Sequence, residues 1–442
     1  MVSSPETIHC LKSSMRLSTV VPATVTGQEH KVHELTNMDL AMKLHYIKGI
    51  YFFRSDAVEG LTVNDLKKPM FQLLQLYFAV SGRIRRSGTG RPFIVCNDGG
   101  VRTVEACCDE TIDEWLAMAV EDDSVFDGLA YNQALGDPDL GFSPLVFVQF
   151  TWFKCGGMSV GLSWANVLGD AFSASEFLNL WGKIMAGHMP LKSQHMPDPA
   201  KSEFPLLVLP KLTPNAFKRV DSVGDSWLTP SSCKMKTHTF HVPTDKVDHF
   251  LSNQTAKVST FEVLSAIIWK SLSKIKESPE QSRMVTIVYT NKSPRGMKFL
   301  SNGMVWSTVE ADFLVAEAEV SELVELILNK RADENGMIKE MMGNNGSGEL
   351  SSDLIAYGAN LTFVNLEAAE IYGLELKGQK PVYANYSING VGDEGVVLVL
   401  PAGPKYGKDR DDVNGDRTVT VVLPENLLAQ LKVDLKKNWN IA

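Results

Sequence analysis

The sequence predicts an α/β protein of two domains, each a mixed sheet carrying helices. Three observations point there. The chain has 442 residues, about three times the usual domain length and more than one hydrophobic core normally serves. Helix-like and strand-like stretches alternate along its whole length. A proline-rich segment over residues 188–235, with few periodic apolar positions, interrupts that alternation. We therefore expect a first domain over 1–187, a crossover connector over 188–235 and a second domain over 236–442.

The elements follow in order. Thr36, Asn37, Met38 and Asp39 open a capped helix whose apolar positions run through Leu40, Met42 and Leu44 toward Tyr46, which would place His45 on a helix. Residues 65–80 read as a second helix leading into a strand-like Ser81-Gly82-Arg83-Ile84. Residues 145–150 form an apolar, β-branched run and predict a buried strand, and residues 158–163 alternate with period two as its neighbour. Ser173 and Glu176 have the spacing of a capping box, followed by Phe177, Leu180, Trp181 and Ile184 at helical intervals and by Gly187 as a stop. Ser259 and Glu262 make a second box ahead of Phe261, Leu264, Ile268, Leu272 and Ile275. Residues 342–350 and 401–416 read as surface loops.

Composition excludes several classes of function. Hydrophobic residues make up 44% and charged residues 21%, a globular balance. A formal net charge of -9 suits neither a nucleic-acid backbone nor an anionic membrane surface. The cysteines, Cys10, Cys96, Cys107, Cys108, Cys155 and Cys233, form no CxxC pair and no zinc spacing, so no metal is expected and a reducing compartment fits. No apolar run approaches the ~20 residues of a membrane helix, and residues 1–21 lack the apolar core of a signal peptide.

Two motif matches lose their meaning in context. Gly157-Met158-Ser159-Val160-Gly161 matches the GxSxG nucleophile elbow, but Ser159 lies inside an alternating strand rather than at a strand-to-helix turn. Gly390-Val391-Gly392-Asp393-Glu394-Gly395 matches GxGxxG, but it precedes the strand-like 396–400 rather than a helix.

The informative stretch is 144–182. An apolar strand is followed by the turn Cys155-Gly156-Gly157, a second strand, the segment Asn166-Val167-Leu168-Gly169-Asp170 and a helix. This stretch resembles the centre of the BAHD acyltransferases, where His-x-x-x-Asp-Gly occupies the loop before the helix. The resemblance extends to Ser81–Ile84, residues 97–100, residues 261–270, Asn302-Gly303 and Asn360-Leu361-Thr362, so it covers nearly the whole chain. It implies a two-domain chloramphenicol-acetyltransferase-like fold with a tunnel between the domains, acyl-CoA as ligand and no resident cofactor.

In that family the histidine takes a proton from an alcohol or amine as it attacks the acyl-CoA thioester, because imidazole titrates near working pH. Asn166 stands at that position, and a carboxamide has no basic lone pair at neutral pH. Losing a general base removes ~10²- to 10⁴-fold in rate. Asp170 keeps the family's structural aspartate, for which the resemblance implies a cationic partner in the second domain, with Lys292 as the candidate. Ala171 replaces the usual glycine. The resemblance further implies Ser163, Trp164, Asn360 and Thr362 as substrate-binding positions. None of His45, His188, His195, His238, His241 and His249 has a sequence context that makes it the replacement base. The family's second signature, Asp-Phe-Gly-Trp-Gly before a basic residue and proline, is degraded here to Glu375-Leu376-Lys377-Gly378-Gln379-Lys380-Pro381.

Residues 35–46 and 357–366 are similar to the eceriferum/glossy proteins of cuticular wax formation, which also lack the second signature. That subgroup implies an accessory role in very-long-chain acyl-CoA elongation. It implies a monomer held at the endoplasmic reticulum by a membrane-bound condensing enzyme, with no transmembrane segment of its own. The alternative is an active acyl-CoA-dependent acyltransferase that acts on an alcohol or amine through another base.

Overall fold

A computed structural model describes residues 15–121, 123–189, 216–247, 258–276, 283–290, 300–343, 352–403 and 415–441. The first half supplies strands β1 (Arg16–Val20), β2 (Val32–His33), β3 (Tyr46–Phe53), β4 (Arg83–Arg86), β5 (Pro92–Val95), β6 (Val101–Cys108), β7 (Val146–Phe153) and β8 (Met158–Ala165). Its helices are α1 (Asn37–Ala41), α2 (Ser55–Val58), α3 (Val63–Leu76), α4 (Ile112–Glu121) and α5 (Ala171–Met185). The second half supplies β9 (Lys218–Asp221), β10 (Met235–Val242), β11 (Met284–Tyr289), β12 (Val305–Glu310), β13 (Ser352–Ile355), β14 (Leu361–Asn365), β15 (Tyr383–Asn389), β16 (Val396–Pro401) and β17 (Arg417–Pro424). Its helices are α6 (Thr260–Ile275), α7 (Val320–Lys330), α8 (Asn335–Gly343) and α9 (Glu425–Asp434).

Two six-stranded sheets organise the molecule. The first has the order β1-β6-β7-β8-β3-β15 and the second β10-β17-β16-β14-β11-β12. Both are mixed. β6 and β7 pair in parallel, as do β11 with β14 and β14 with β16, while the remaining neighbours are antiparallel. Smaller sheets join β13 to β9 and β2 through β5 to β4. This is the expected α/β architecture.

Alternation explains which face each strand buries. Val160, Leu162 and Trp164 of β8 and Val148 and Phe150 of β7 share one core with Leu66 and Leu73 of α3 and Phe177 and Trp181 of α5. A second core gathers Phe261, Leu264, Ile268 and Leu272 of α6 under Val285, Ile287, Phe363, Val397 and Val421 of the second sheet. A third, smaller cluster packs Ile50 and Phe52 against Trp115 and Phe153.

One strand crosses between the halves. β15 arises in the second half of the chain but pairs antiparallel with β3, Ile50 opposite Asn385 and Lys48 opposite Ser387. Residues 375–381 deliver it there. Leu376 and Gln379 exchange backbone hydrogen bonds of 3.0 and 2.9 Å across a tight turn. Gly182 of α5 lets that turn approach, because a Cβ there would lie 2.9 Å from the Glu375 carbonyl oxygen. The two sheets then meet through Asn385, whose Nδ2 donates to Thr239 Oγ1 at 3.0 Å and whose Oδ1 accepts from Thr420 Oγ1 at 2.7 Å.

Local expectations are met at most termini and missed at two places. Thr36 and Ser259 form their capping boxes. The box expected at Ser173 and Glu176 does not form, because α5 starts earlier with Asp170 as its N-cap and encloses Ser173 in its first turn. An aspartate that accepts two backbone N–H bonds outcompetes a serine three residues on. His45 is not helical either: α1 stops at Ala41 and His45 immediately precedes β3. Both motif matches resolve as the strand context indicated, with Ser159 buried within β8 and residues 390–395 leading into β16. The loops expected over 342–350 and 401–416 lie largely outside the described residues.

Candidate functional site

The segment after β8 is built by its backbone. Asn166 N donates to the carbonyl of His45 at 3.1 Å, Gly169 N returns to the Asn166 carbonyl at 3.1 Å, and Trp164 Nε1 donates to the Gly169 carbonyl at 3.0 Å. Gly169 has φ +147°, and a Cβ there would fall 2.5 Å from Ser173 Oγ and 2.8 Å from Ser301 N, so only glycine fits.

Asp170 closes the turn and holds it to the second half of the chain. One carboxylate oxygen accepts from Phe172 N at 3.1 Å and Ser173 N at 3.3 Å, and the other accepts from Gly303 N at 3.1 Å. Asp170 N donates to the Ser301 carbonyl at 3.2 Å. Burial pushes the carboxyl pKa up to about 6, with the surrounding backbone N–H groups pulling against that rise. Lys292, the cation expected beside it, lies outside the described residues.

Asn302 was legible only as part of a family-like dipeptide. In the structure its Nδ2 donates to the Asn166 carbonyl at 2.8 Å and to Asp39 Oδ1 at 2.9 Å, joining α1, the Asn166 turn and residues 300–303. Asp39 is itself buried, and burial raises its pKa against the opposing bonds from Asn302 and Thr36.

The Asn166 side chain is wholly buried, and among the described residues neither Nδ2 nor Oδ1 has a partner in hydrogen-bond geometry. Its neighbour is Tyr357. The phenol hydroxyl interacts with the Asn166 amide and feels the Asp170 charge, but it does not reach hydrogen-bonding geometry with the amide. Burial raises the Tyr357 pKa above its ordinary value, so the phenol stays protonated. No periodicity signals Tyr357, because its partner lies far away in sequence.

Six histidines were candidates for the missing base. His45 is buried beside this turn, yet its Nε2 lone pair accepts from Ala356 N at 3.0 Å. Burial lowers its pKa to about 3. A neutral imidazole whose acceptor nitrogen is occupied is no general base. His188 is exposed just beyond α5, His238 packs edge-on against Phe240 at 4.6 Å, and His241 lies 3.3 Å from Asp416. His195 and His249 lie outside the described residues.

None of the four expected substrate-binding residues lines either of two surface spaces. Trp164 is fully buried in the first core against Phe177, and Ser163 is buried on the opposite face of β8. Thr362 is buried, with its hydroxyl donating to the Asn360 carbonyl at 2.8 Å and accepting from Gly358 N at 3.2 Å. Asn360 is partly exposed, and its Nδ2 donates to Thr286 Oγ1 at 3.2 Å. A surface cleft of about 330 Å³ is lined by Lys218, Ser231, Ile355, Gly358, Ala359 and Asp393 among others. Neither it nor a smaller space beside Lys48, Asn385 and Ser387 includes Asn166. Among the described residues no group of histidine, cysteine and carboxylate side chains has a metal-binding arrangement, and no helix is long and apolar enough to cross a membrane.

Two mixed sheets joined by a crossing strand, with an Asn-to-Asp turn clasped between the halves, define an acyltransferase-type architecture. The chain belongs to the Transferase family, the BAHD acyltransferases, whose model matches residues 13–437. Within that family it is similar to Protein ECERIFERUM 2 of Arabidopsis thaliana, 42% identical over 96% of this chain and 97% of the relative. It is also similar to Protein ECERIFERUM 26 of the same plant, 38% identical over 97% and 96% of the two chains. Among solved structures, vinorine synthase aligns with a TM-score of 0.66 at 18% identity, covering 96% of this chain and 98% of that one. F. sporotrichioides TRI101, solved with coenzyme A and T-2, aligns at 0.68 and 16% identity over 92% of this chain and 98% of that one. At such identities these structures support the fold alone.

Proposed function

We propose that this protein supports very-long-chain fatty acyl-CoA elongation for cuticular wax as a non-catalytic accessory of a membrane-bound condensing enzyme. One observation carries the reading: at the position where the family resemblance puts the general base stands Asn166, buried and without a basic lone pair. His45, the imidazole next to that turn, cannot substitute, because its acceptor nitrogen is engaged and burial keeps it neutral. The fold of an acyl-CoA enzyme is thereby retained without the group that would move a proton. Similarity to the ECERIFERUM proteins supports the wax setting.

In this reading acyl-CoA is a ligand that is held or guided in a tunnel between the two halves, and Asp170 keeps the turn in shape. Assignment of Ser163, Trp164, Asn360 and Thr362 to the ligand's path belongs to the same proposal. It requires local separation of the halves, since all but Asn360 are buried. The protein would be cytoplasmic and sit at the endoplasmic reticulum through its partner.

The test is elongation by membranes carrying the condensing enzyme, with and without this protein, read as product chain length. Wild type and Asn166→Ala should lengthen the product equally. If support appears only after Asn166→His, the accessory reading fails and an acyl-transfer role takes its place.

A further inference from the structure

The ring of Tyr357 belongs to a buried aromatic column. Phe217 packs on Trp306 with centroids 5.1 Å apart, Trp306 on Tyr357 at 5.0 Å, and Tyr357 edge-on to His45 at 5.1 Å. All four rings are buried. Tyr357 is therefore wedged between two neighbours, with its hydroxyl end turned to the Asn166 amide. The amide beside it is fully buried, and among the described residues neither of its polar atoms has a partner within hydrogen-bond geometry. Buried carboxamides normally find a partner, and the polar group packed against this one is the Tyr357 hydroxyl, so the ring occupies the space beside residue 166. The segment that carries Tyr357 also floors the 330 Å³ surface cleft through Ile355, Gly358 and Ala359.

We propose that the Tyr357 ring plugs the acyl-acceptor position beside residue 166, so that supplying a histidine there does not by itself restore acyl transfer. The proposal deepens the functional reading and rests on it for acyl-CoA as the ligand. It gives the loss of chemistry two independent causes, a missing base and a filled pocket. The reaction at issue is simple. An alcohol oxygen attacks the thioester carbonyl, its proton passes to the introduced imidazole, the C–S bond breaks, and the departing CoA thiolate takes that proton to leave as the thiol beside the new ester.

The experiment compares wild type, Asn166→His, Tyr357→Ala and the Asn166→His/Tyr357→Ala double variant, each with a long-chain acyl-CoA and a primary alcohol, reading free CoA thiol. Asn166→His alone should stay at the wild-type level. The double variant should rise at least about tenfold, below the ~10²- to 10⁴-fold that a well-placed base supplies. Asn166→His/Tyr357→Phe, which keeps the ring and loses the hydroxyl, should stay at the wild-type level. Equal activity of Asn166→His and the double variant overturns the plug, as does transfer by the phenylalanine variant or a folded double variant that does not rise. If the alanine variant fails to fold, Tyr357→Val takes its place under the same criteria. Quenching of tryptophan fluorescence by acyl-CoA separates the causes. Binding without transfer in the double variant removes the plug alone, whereas no binding by any variant removes the acyl-CoA reading and the plug with it.

Discussion

The carboxylate of Asp170 accepts from Phe172 and Ser173 at the start of α5 through one oxygen and from Gly303 through the other. It is at once a helix cap and a tie between chain halves, and neither task needs a proton to move. Replacing it removes a cap and leaves buried N–H groups without acceptors. Asp170→Ala should therefore lose about 2–4 kcal/mol of stability, measured by urea unfolding. A loss below about 0.5 kcal/mol would show that the turn does not depend on it. His45 predicts a pH dependence. Its pKa is pushed down to about 3 by burial, against ~6.5 in an unfolded chain. Between those limits the unfolded chain binds a proton that the folded chain does not, so acidification destabilises. Asp170, raised to about 6, works in the opposite sense between ~4 and that value, because there the folded state holds the extra proton. Lowering the pH from 7 to 4.5 should cost the wild type roughly 2 kcal/mol more than His45→Gln, at about 1.4 kcal/mol per unit of pKa shift. Equal losses in both proteins would mean that His45 is not held neutral by the fold.

At the scale of elements, α1 is anchored from two sides. Asn302 reaches Asp39, and just past the helix Lys43 pairs with Asp353 of β13, with both side chains almost fully buried. Desolvation lowers the Lys43 pKa, and the Asp353 charge opposes that fall. The other Asp353 oxygen accepts from Val223 N at 2.8 Å, and the Lys43 ammonium lies 5.4 Å from the Trp227 ring centroid. Breaking a buried pair from one side strands the remaining charge, at about 3–5 kcal/mol. Asp353→Ala should show that loss, and the apolar pair Lys43→Met/Asp353→Leu should recover most of it. If the double replacement is no more stable than the single one, the pair contributes directly and the stranded-charge account is wrong. The capping error at α5 belongs to this scale too. Ser173 and Glu176 satisfy the spacing rule, but spacing cannot rank two competing caps. The ranking follows from Asp170 being held in place by Ser301 and Gly303, far along the chain.

For the whole molecule the decisive feature is β15. It begins beyond the proposed connector over 188–235 yet completes the first sheet through seven paired positions with β3. Tyr386 on it shares a 2.6 Å hydroxyl contact with Tyr51. The division into 1–187, 188–235 and 236–442 therefore stands as a proposal about linkage rather than independence. A single proteolytic cut within 190–215 should leave two fragments that co-elute on size exclusion without denaturant and separate only in urea. Fragments that part under native conditions would show that the β3–β15 pairing does not hold the halves together.

By itself the sequence determined the elements and their class. Period-two runs marked β7 and β8, helical spacing marked α5 and α6, and the unbroken match around residues 144–182 identified the acyltransferase-like centre and picked out Asn166 and Asp170. These signals are local, because side-chain periodicity and capping act over a few residues. Only the tertiary structure decided what surrounds them. That Asp170 holds Gly303, that Asn302 bridges Asp39 and Asn166, and that Tyr357 meets both His45 and Asn166 are all contacts across more than a hundred residues. So is the passage of β15 into the first sheet. Such contacts arise when two sheets pack and bury polar groups that must find partners in space, and no spacing along the chain encodes that choice.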